Sequence, residues 1–283
     1  MRINTVKKMP LPTVALIAGE EFRVNARNRW IVAFGWIFAL LTLAISYFGT
    51  IIAAQVGFQG FTRTTASLVS LVLYLVPMVA MVMAILSFSP ESGAELLLAQ
   101  PVSRTQVLAG KVAGIFAALA VALLFGFGAS GLVIALQAGG EGMGRYLAFV
   151  AFTLLLAMIF VVLGSAVSIA SNNRARAAGA ALAIWFCFVI FYDLLVMGAG
   201  FLFREHTANL IIFLSLFGNP VDLARVASLI SLGGAAIFGA AGAALLKFLG
   251  GAAASMVLLT AALLAWTVAP FFLASMLLRR RDL

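Results

Sequence analysis

The stretch "GKVAGIFAALAVALLFGFGASGLVIALQ", residues 110–137, runs for 28 residues with one charged side chain, Lys111, at its second position. As a helix it is about 42 Å long, more than the roughly 30 Å of hydrocarbon in a bilayer. A soluble domain has no use for so long an apolar helix, and the segment reads as a membrane span. By the same rule five more segments qualify: Trp30–Phe48, Leu68–Phe88, Tyr146–Ala170, Ala177–Phe201 and Ala252–Leu278. The short alternating strands of a closed barrel do not occur in the sequence, so helices must satisfy the backbone within lipid. The expected fold is all-α: a polytopic membrane protein with six transmembrane helices in a single domain, 1–283.

Composition agrees, with 64% hydrophobic residues, 10% charged and a mean hydropathy of +1.17 over 283 residues. The formal net charge of +9 sits at the ends of apolar runs. There it serves insertion asymmetry and anionic head groups of the lipid bilayer, and nucleic acid is not expected as a partner. The single Cys187 lies inside an apolar run, which excludes a disulfide framework and a thiol metal cluster and predicts a small buried side chain. Of the 18 Lys and Arg, thirteen fall on one side of the alternating loops and five on the other. Both termini are expected in the cytoplasm, as six spans require. Glu20, Glu21 and several Arg precede the first long apolar run with no small-residue cleavage site, so a cleaved signal peptide is not expected.

Before the first span, "PTVALIAGEEFRVNARNRW" (12–30) places Val14, Ile17, Glu21, Val24 and Asn28 at helical spacing, with Arg23, Arg27 and Trp30 suited to an interface. The segment 1–29 is expected to carry an amphipathic helix on the cytoplasmic face.

Between the second and third spans lies a polar island, "ESGAELLLAQPVSRTQVLAGK" (91–111), within the expected cytoplasmic loop 89–109. Pro90 and Glu91 suit a helix start, and Pro101 stops the helix that "AELLLAQ" supplies. It is too short to span and cannot bury Leu96, Leu97 and Leu98 alone, so these leucines either dip into the interface or meet a partner surface.

This island resembles the cytoplasmic loop of ABC transporter type-2 permeases, whose pattern is an acidic, Gly-containing turn, "ELLL", a Pro and "SR" before a Lys that opens the third span. In that family the element is the coupling helix. The resemblance implies that Glu91, Gly93, Glu95, Gln100, Pro101, Ser103 and Arg104 form a docking surface for a separate ATPase subunit. It extends along the chain through "RNRW" (27–30), "FYDLLVMG" (191–198) and "GNPVDLAR" (218–225), which are most similar to the permease group of the nitrous oxide reductase maturation transporter, the NosY group. It implies a homodimer in the bacterial inner membrane with two ATPase copies that bind the ATP and Mg, and a possible periplasmic accessory subunit. The substrate it implies is a copper or sulfur species, although type-2 permeases also export lipids, polysaccharides and drug-like molecules.

Two of these motifs are unusual in physical terms. Asp193 is the only acid inside an expected span and falls near its external end, where it suits either a pathway exit or a head-group-level carboxylate paired with an Arg such as Arg204. Asn219 and Pro220 form a turn able to start a helix, with Asp222 in the first turn and Arg225 three residues on. This reads first as a structural cap, and with Asp193 as a possible external gate. Segment 198–251 is too apolar for a free loop and too broken by Gly and Pro for two spans, so short external re-entrant or interfacial helices are expected.

Catalysis finds little support. His206 is the only His and lacks partners for a metal site, so no metal, cofactor or catalytic residue is expected on this chain. Glycine runs such as "GFGASG" and "GAAGAA" have the context of helix packing rather than phosphate binding, and there is no Walker-type loop. The methionines in the spans, among them Met78, Met81 and Met83, do not share one helical face and suit ordinary packing. A secondary transporter, which would need ionisable groups near the midplane and internal repeats, and a non-transporting scaffold are the readings of another class.

Overall fold

The computed structural model describes residues 12–56, 58–89, 102–171, 173–202, 211–233 and 239–280, and every regular element within them is helical. Helix α1 covers Pro12–Ala26, α2 Arg29–Val56, α3 Phe58–Phe88, α4 Arg104–Ala170, α5 Arg174–Phe186, α6 Tyr192–Leu202, α7 Pro220–Gly233, α8 Gly239–Phe248 and α9 Ala252–Arg280. Among the described residues six stretches are long and apolar enough to cross a membrane: Arg29–Gly49, Ser67–Phe88, Arg104–Val133, Met143–Ala170, Arg174–Ala199 and Ala252–Arg280. Each overlaps one span expected from the sequence.

Helix α4 is 67 residues long and holds two spans. The Tyr146 hydroxyl lies 2.7 Å from Ser130 Oγ and donates to the Phe127 carbonyl at 2.7 Å. In a straight helix 16 residues would separate those groups by about 24 Å, so the chain reverses between them. The two legs of α4 form the centre of the bundle. Phe127 packs edge-on against Phe38 of α2 at 5.1 Å and against Phe149 of the other leg at 5.4 Å, with all three rings buried. Thr42 Oγ1 of α2 donates to the Gly126 carbonyl at 3.0 Å, which ties the first span to the third.

The outer spans differ. In the second and fourth, 61% of the residues are buried within the chain; in the fifth and sixth only 11% and 17% are. Cys187, expected to be packed inside, is exposed because the fifth span has so few neighbours. Met81 and Met83 are core residues, whereas Met78, also expected to pack, is 42% exposed.

The fifth span is not a uniform helix. Between α5 and α6 the backbone widens into a π-helical turn, Cys187–Phe191, closed by the Tyr192 amide donating to the Cys187 carbonyl. Beyond α6, the helical segment Ile211–Gly218 meets Pro220–Leu232 at a 108° bend. Between α8 and α9, Gly250 and Gly251 take φ of +87° and +101°. That left-handed backbone lets the Gly251 amide reach the Leu246 carbonyl at 2.7 Å and close α8.

Candidate functional site

Of the residues the sequence pointed to in the polar island, Glu91, Gly93, Glu95, Gln100 and Pro101 lie outside the described residues, as does His206. The two feet of the loop are described, at the end of α3 and the start of α4. Ser103 caps α4 reciprocally: its Oγ accepts from the Gln106 amide and its own amide donates to Gln106 Oε1, both at 3.3 Å. Arg104 donates from Nη1 to the Leu278 and Arg279 carbonyls at 2.9 and 3.0 Å. Those carbonyls end α9 and have no partner within their own helix, so Arg104 fastens the second foot of the loop to the end of the sixth span. Thr105 Oγ1 reinforces the junction, 3.3 Å from Ser275 Oγ and accepting from Arg279 Nη2 at 3.3 Å.

Helix α1 joins both feet. Its inward face is built on Val14, Ile17, Glu21, Phe22 and Asn25, while Leu16 and Val24 are 73% and 60% exposed. The sequence pattern placed Val24 on the apolar face; the buried face is rotated from it because it is organised around a charge. Glu21 Oε2 accepts from Lys111 Nζ at 2.7 Å, and both side chains are almost fully buried. Asn25 Nδ2 donates to Glu21 Oε1 at 3.0 Å and to the Glu21 carbonyl at 2.9 Å, and lies 3.4 Å from Ser87 Oγ of α3. The Lys111 ammonium also sits 5.4 Å over the Phe88 ring. The approach is close because Gly110 and Gly114 lie beneath: a Cβ on Gly114 would be 2.6 Å from the Ala18 carbonyl and from Glu21 Cβ. Thus Ser87 and Phe88, just before the loop, and Lys111, just after it, meet on one face of α1. Sequence reading passed over this cluster. Its signal was a lysine one residue into an apolar span, facing a chain with few acids.

The second candidate group lies at the bend. Asn219 is fully buried and every polar atom of its side chain is used: Nδ2 donates to the Phe188 carbonyl at 2.8 Å and to Asp222 Oδ2 at 2.9 Å, and Oδ1 accepts from the Val221 amide at 2.9 Å. Its carbonyl accepts from the Leu223 amide, the first turn of α7 behind Pro220. The cap expected from the sequence is present, and it reaches further. Phe188 belongs to the π-helical turn, whose widened backbone frees a carbonyl for Asn219. On the other side the Trp266 indole donates to the Phe217 carbonyl at 3.0 Å, and its ring packs edge-on against Phe188 at 5.6 Å.

Trp266 stands 14 residues from either end of α9, about 21 Å along the helix, so the bend lies at mid-depth of the spans. Arg225 brings the acids together, its Nη1 3.0 Å from Asp193 Oδ2 and 2.8 Å from Asp222 Oδ1. Asp193 is therefore paired from within the bend. Among the described residues no three His, Cys, Asp or Glu are grouped so as to hold a metal ion. What the arrangement offers is one cation between two carboxylates, on side chains about one third exposed at Asp193 and Arg225, beside a break in a span.

Residues 15–283 match the model of the ABC-2 family transporter protein. The chain is 37% identical over 280 residues to a probable ABC transporter permease protein NosY of Pseudomonas aeruginosa, covering 96% of this chain and all of that one. It is 35% identical over 275 residues to a protein of the same name from Stutzerimonas stutzeri, covering 94% of this chain and 97% of that one.

Proposed function

The chain belongs to the ABC-2 transporter family as a multi-pass permease, and from that premise we propose that its loop 89–103 receives force from a separate ATPase subunit. The observation that carries the proposal is the wiring of the loop's feet. One foot meets α1 through Ser87, with Phe88 beneath the Lys111 ammonium; the other meets α1 through Lys111 and α9 through Arg104. Force delivered to these feet would pass to α1 and to the sixth span. An ATPase that grips the loop differently in its ATP-bound and ATP-free states would therefore shift the bundle between two arrangements.

In this reading two copies of the chain assemble with two ATPases, which hold the ATP and Mg, and Glu91, Gly93, Glu95, Gln100, Pro101, Ser103 and Arg104 supply the docking surface. Asp193, Asn219, Asp222 and Arg225 form the gate, since an ion cluster at a broken helix within the bilayer is costly unless it lines a polar path. The proposed cargo is a copper or sulfur species used to mature nitrous oxide reductase, which rests on the resemblance of the chain's motifs to the NosY group.

The test is co-expression with a candidate ABC ATPase subunit from the same genome, followed by pull-down of the permease. Wild type is expected to retain two ATPases per two permeases. Glu91→Lys and Glu95→Lys are expected to insert normally and to lose most of the ATPase, because reversed charges at a docked surface cost a few kcal/mol. Full ATPase retention by both variants would sink the docking assignment. Loss of copper from nitrous oxide reductase in a strain lacking the permease, restored by the wild-type gene, supports the cargo; unchanged reductase directs the search to lipid, polysaccharide or drug-like substrates.

A further inference from the structure

Where α1 turns into α2, an apolar groove of about 280 Å³ runs between the first and third spans, lined by Ala26, Ile31, Val32, Gly35, Trp36, Ala118, Val121, Ala122 and Phe125. It opens outward: Val32, Trp36, Val121 and Phe125 are each about half exposed, with Trp36 and Phe125 packed edge-on at 5.0 Å. Its lining brackets the "RNR" turn in sequence, for Ala26 precedes it and Ile31 follows. Arg23, Arg27 and Arg29 are exposed there, and none has a side-chain partner among the described residues. Nearby acid is scarce. Glu21 is committed to Lys111, which leaves Glu20 as the one exposed carboxylate of α1. Trp30, 74% exposed between these cations and the apolar lining, has the amphipathic ring that settles at head-group level.

We propose that this groove is a binding site for one anionic phospholipid, an acyl chain lying against Val32, Gly35, Trp36 and Ala122 with the phosphate held by Arg27 and Arg29. The two halves of the site match the two halves of that ligand. A zwitterionic lipid would fill the groove equally well but would bring its own cation to the arginines. The bound lipid would brace the turn on which α1 pivots, beside the Glu21–Lys111 pair.

The experiment is native mass spectrometry of the full chain in mild detergent with equal amounts of phosphatidylglycerol and phosphatidylcholine. Wild type is expected to retain phosphatidylglycerol about 25-fold over phosphatidylcholine, since each of the two cations contributes a factor of about five near a membrane surface. Arg27→Gln with Arg29→Gln should bring the ratio close to one, while Arg27→Lys with Arg29→Lys keeps it and shows that folding is not what changed. Val32→Trp, which fills the groove and leaves the charges, should lower retention of both lipids. Millimolar glycerol 3-phosphate should not displace the lipid; displacement would mean a phosphate site without need of the chain and would overturn the proposal. It is equally overturned by equal retention of the two lipids by wild type, or by an unchanged ratio in the double Gln variant. Loss of a bound acidic protein from that variant, with lipid retention intact, would assign the arginines to a protein surface instead.

Discussion

Lys111 stands where the third span begins, and taking its ammonium out of water costs several kcal/mol unless a partner makes up the loss. The partner is Glu21, 2.7 Å away, with Asn25 holding the second carboxylate oxygen and Phe88 beneath the ammonium. Removing one charge leaves the other buried and unpaired, which typically costs about 3–5 kcal/mol, whereas replacing both by apolar side chains of similar length is often close to neutral. Glu21→Met is therefore expected to lower the unfolding midpoint in detergent clearly more than Glu21→Met with Lys111→Met. A double-mutant cycle should give a coupling above about 2 kcal/mol. Equal losses in the single and double variants would show that the pair is solvated and holds nothing. Either charge was visible in the sequence. Their meeting was not, because 90 residues separate them and helical spacing, which set Glu21 on the face of Val14 and Ile17, does not say which residue of another helix that face meets.

Among the elements, legibility followed hydrocarbon content. Six long apolar runs announce six spans whatever surrounds them, since the bilayer imposes both length and composition. The bend at Asn219 is a different case: "GNP" shows a turn and a cap, but its depth is set by neighbours, the Trp266 indole and the Phe188 carbonyl. Nor does "CFVIF" signal a π-helical turn, which exists here to free that carbonyl. Asn219→Ala would strand the Phe188 carbonyl and the Val221 amide in a dry place, at about 1–3 kcal/mol for each group. Because the six spans remain, the variant is expected at near-normal levels in membranes, with a lower unfolding midpoint and no transport. Wild-type transport by Asn219→Ala would remove the bend from the mechanism. Gly114→Val probes α1 in the same spirit. Its new side chain meets the Ala18 carbonyl, part of α1's own backbone, so α1 must lift away, and protease cleavage near Arg23 should rise while membrane levels hold.

For the whole molecule the question is what covers the fifth and sixth spans, so few of whose residues are buried. Their open faces differ in chemistry. The sixth presents Val257, Leu264, Val268, Phe272, Leu273 and Met276, all at least half exposed, the surface that lipid tails accept. The fifth presents Leu194, Leu195 and Met197 beside Asp193, whose side chain is 37% exposed and paired with Arg225 at 29%. Lipid tails offer such a pair no hydrogen bonds, so it belongs against polar groups or water, and the proposed second copy, facing the first across a central path, would supply both. Cysteine cross-linking can tell the faces apart. With Cys187 replaced by Ser, a cysteine at Leu194 is expected to join two chains through a short bis-maleimide in native membranes, and a cysteine at Phe272 to give no such product. Dimers from Phe272→Cys and none from Leu194→Cys would place the sixth span at the interface and leave the ion pair needing another companion. Dimers from neither would return both spans to lipid and take the two-copy assembly with them.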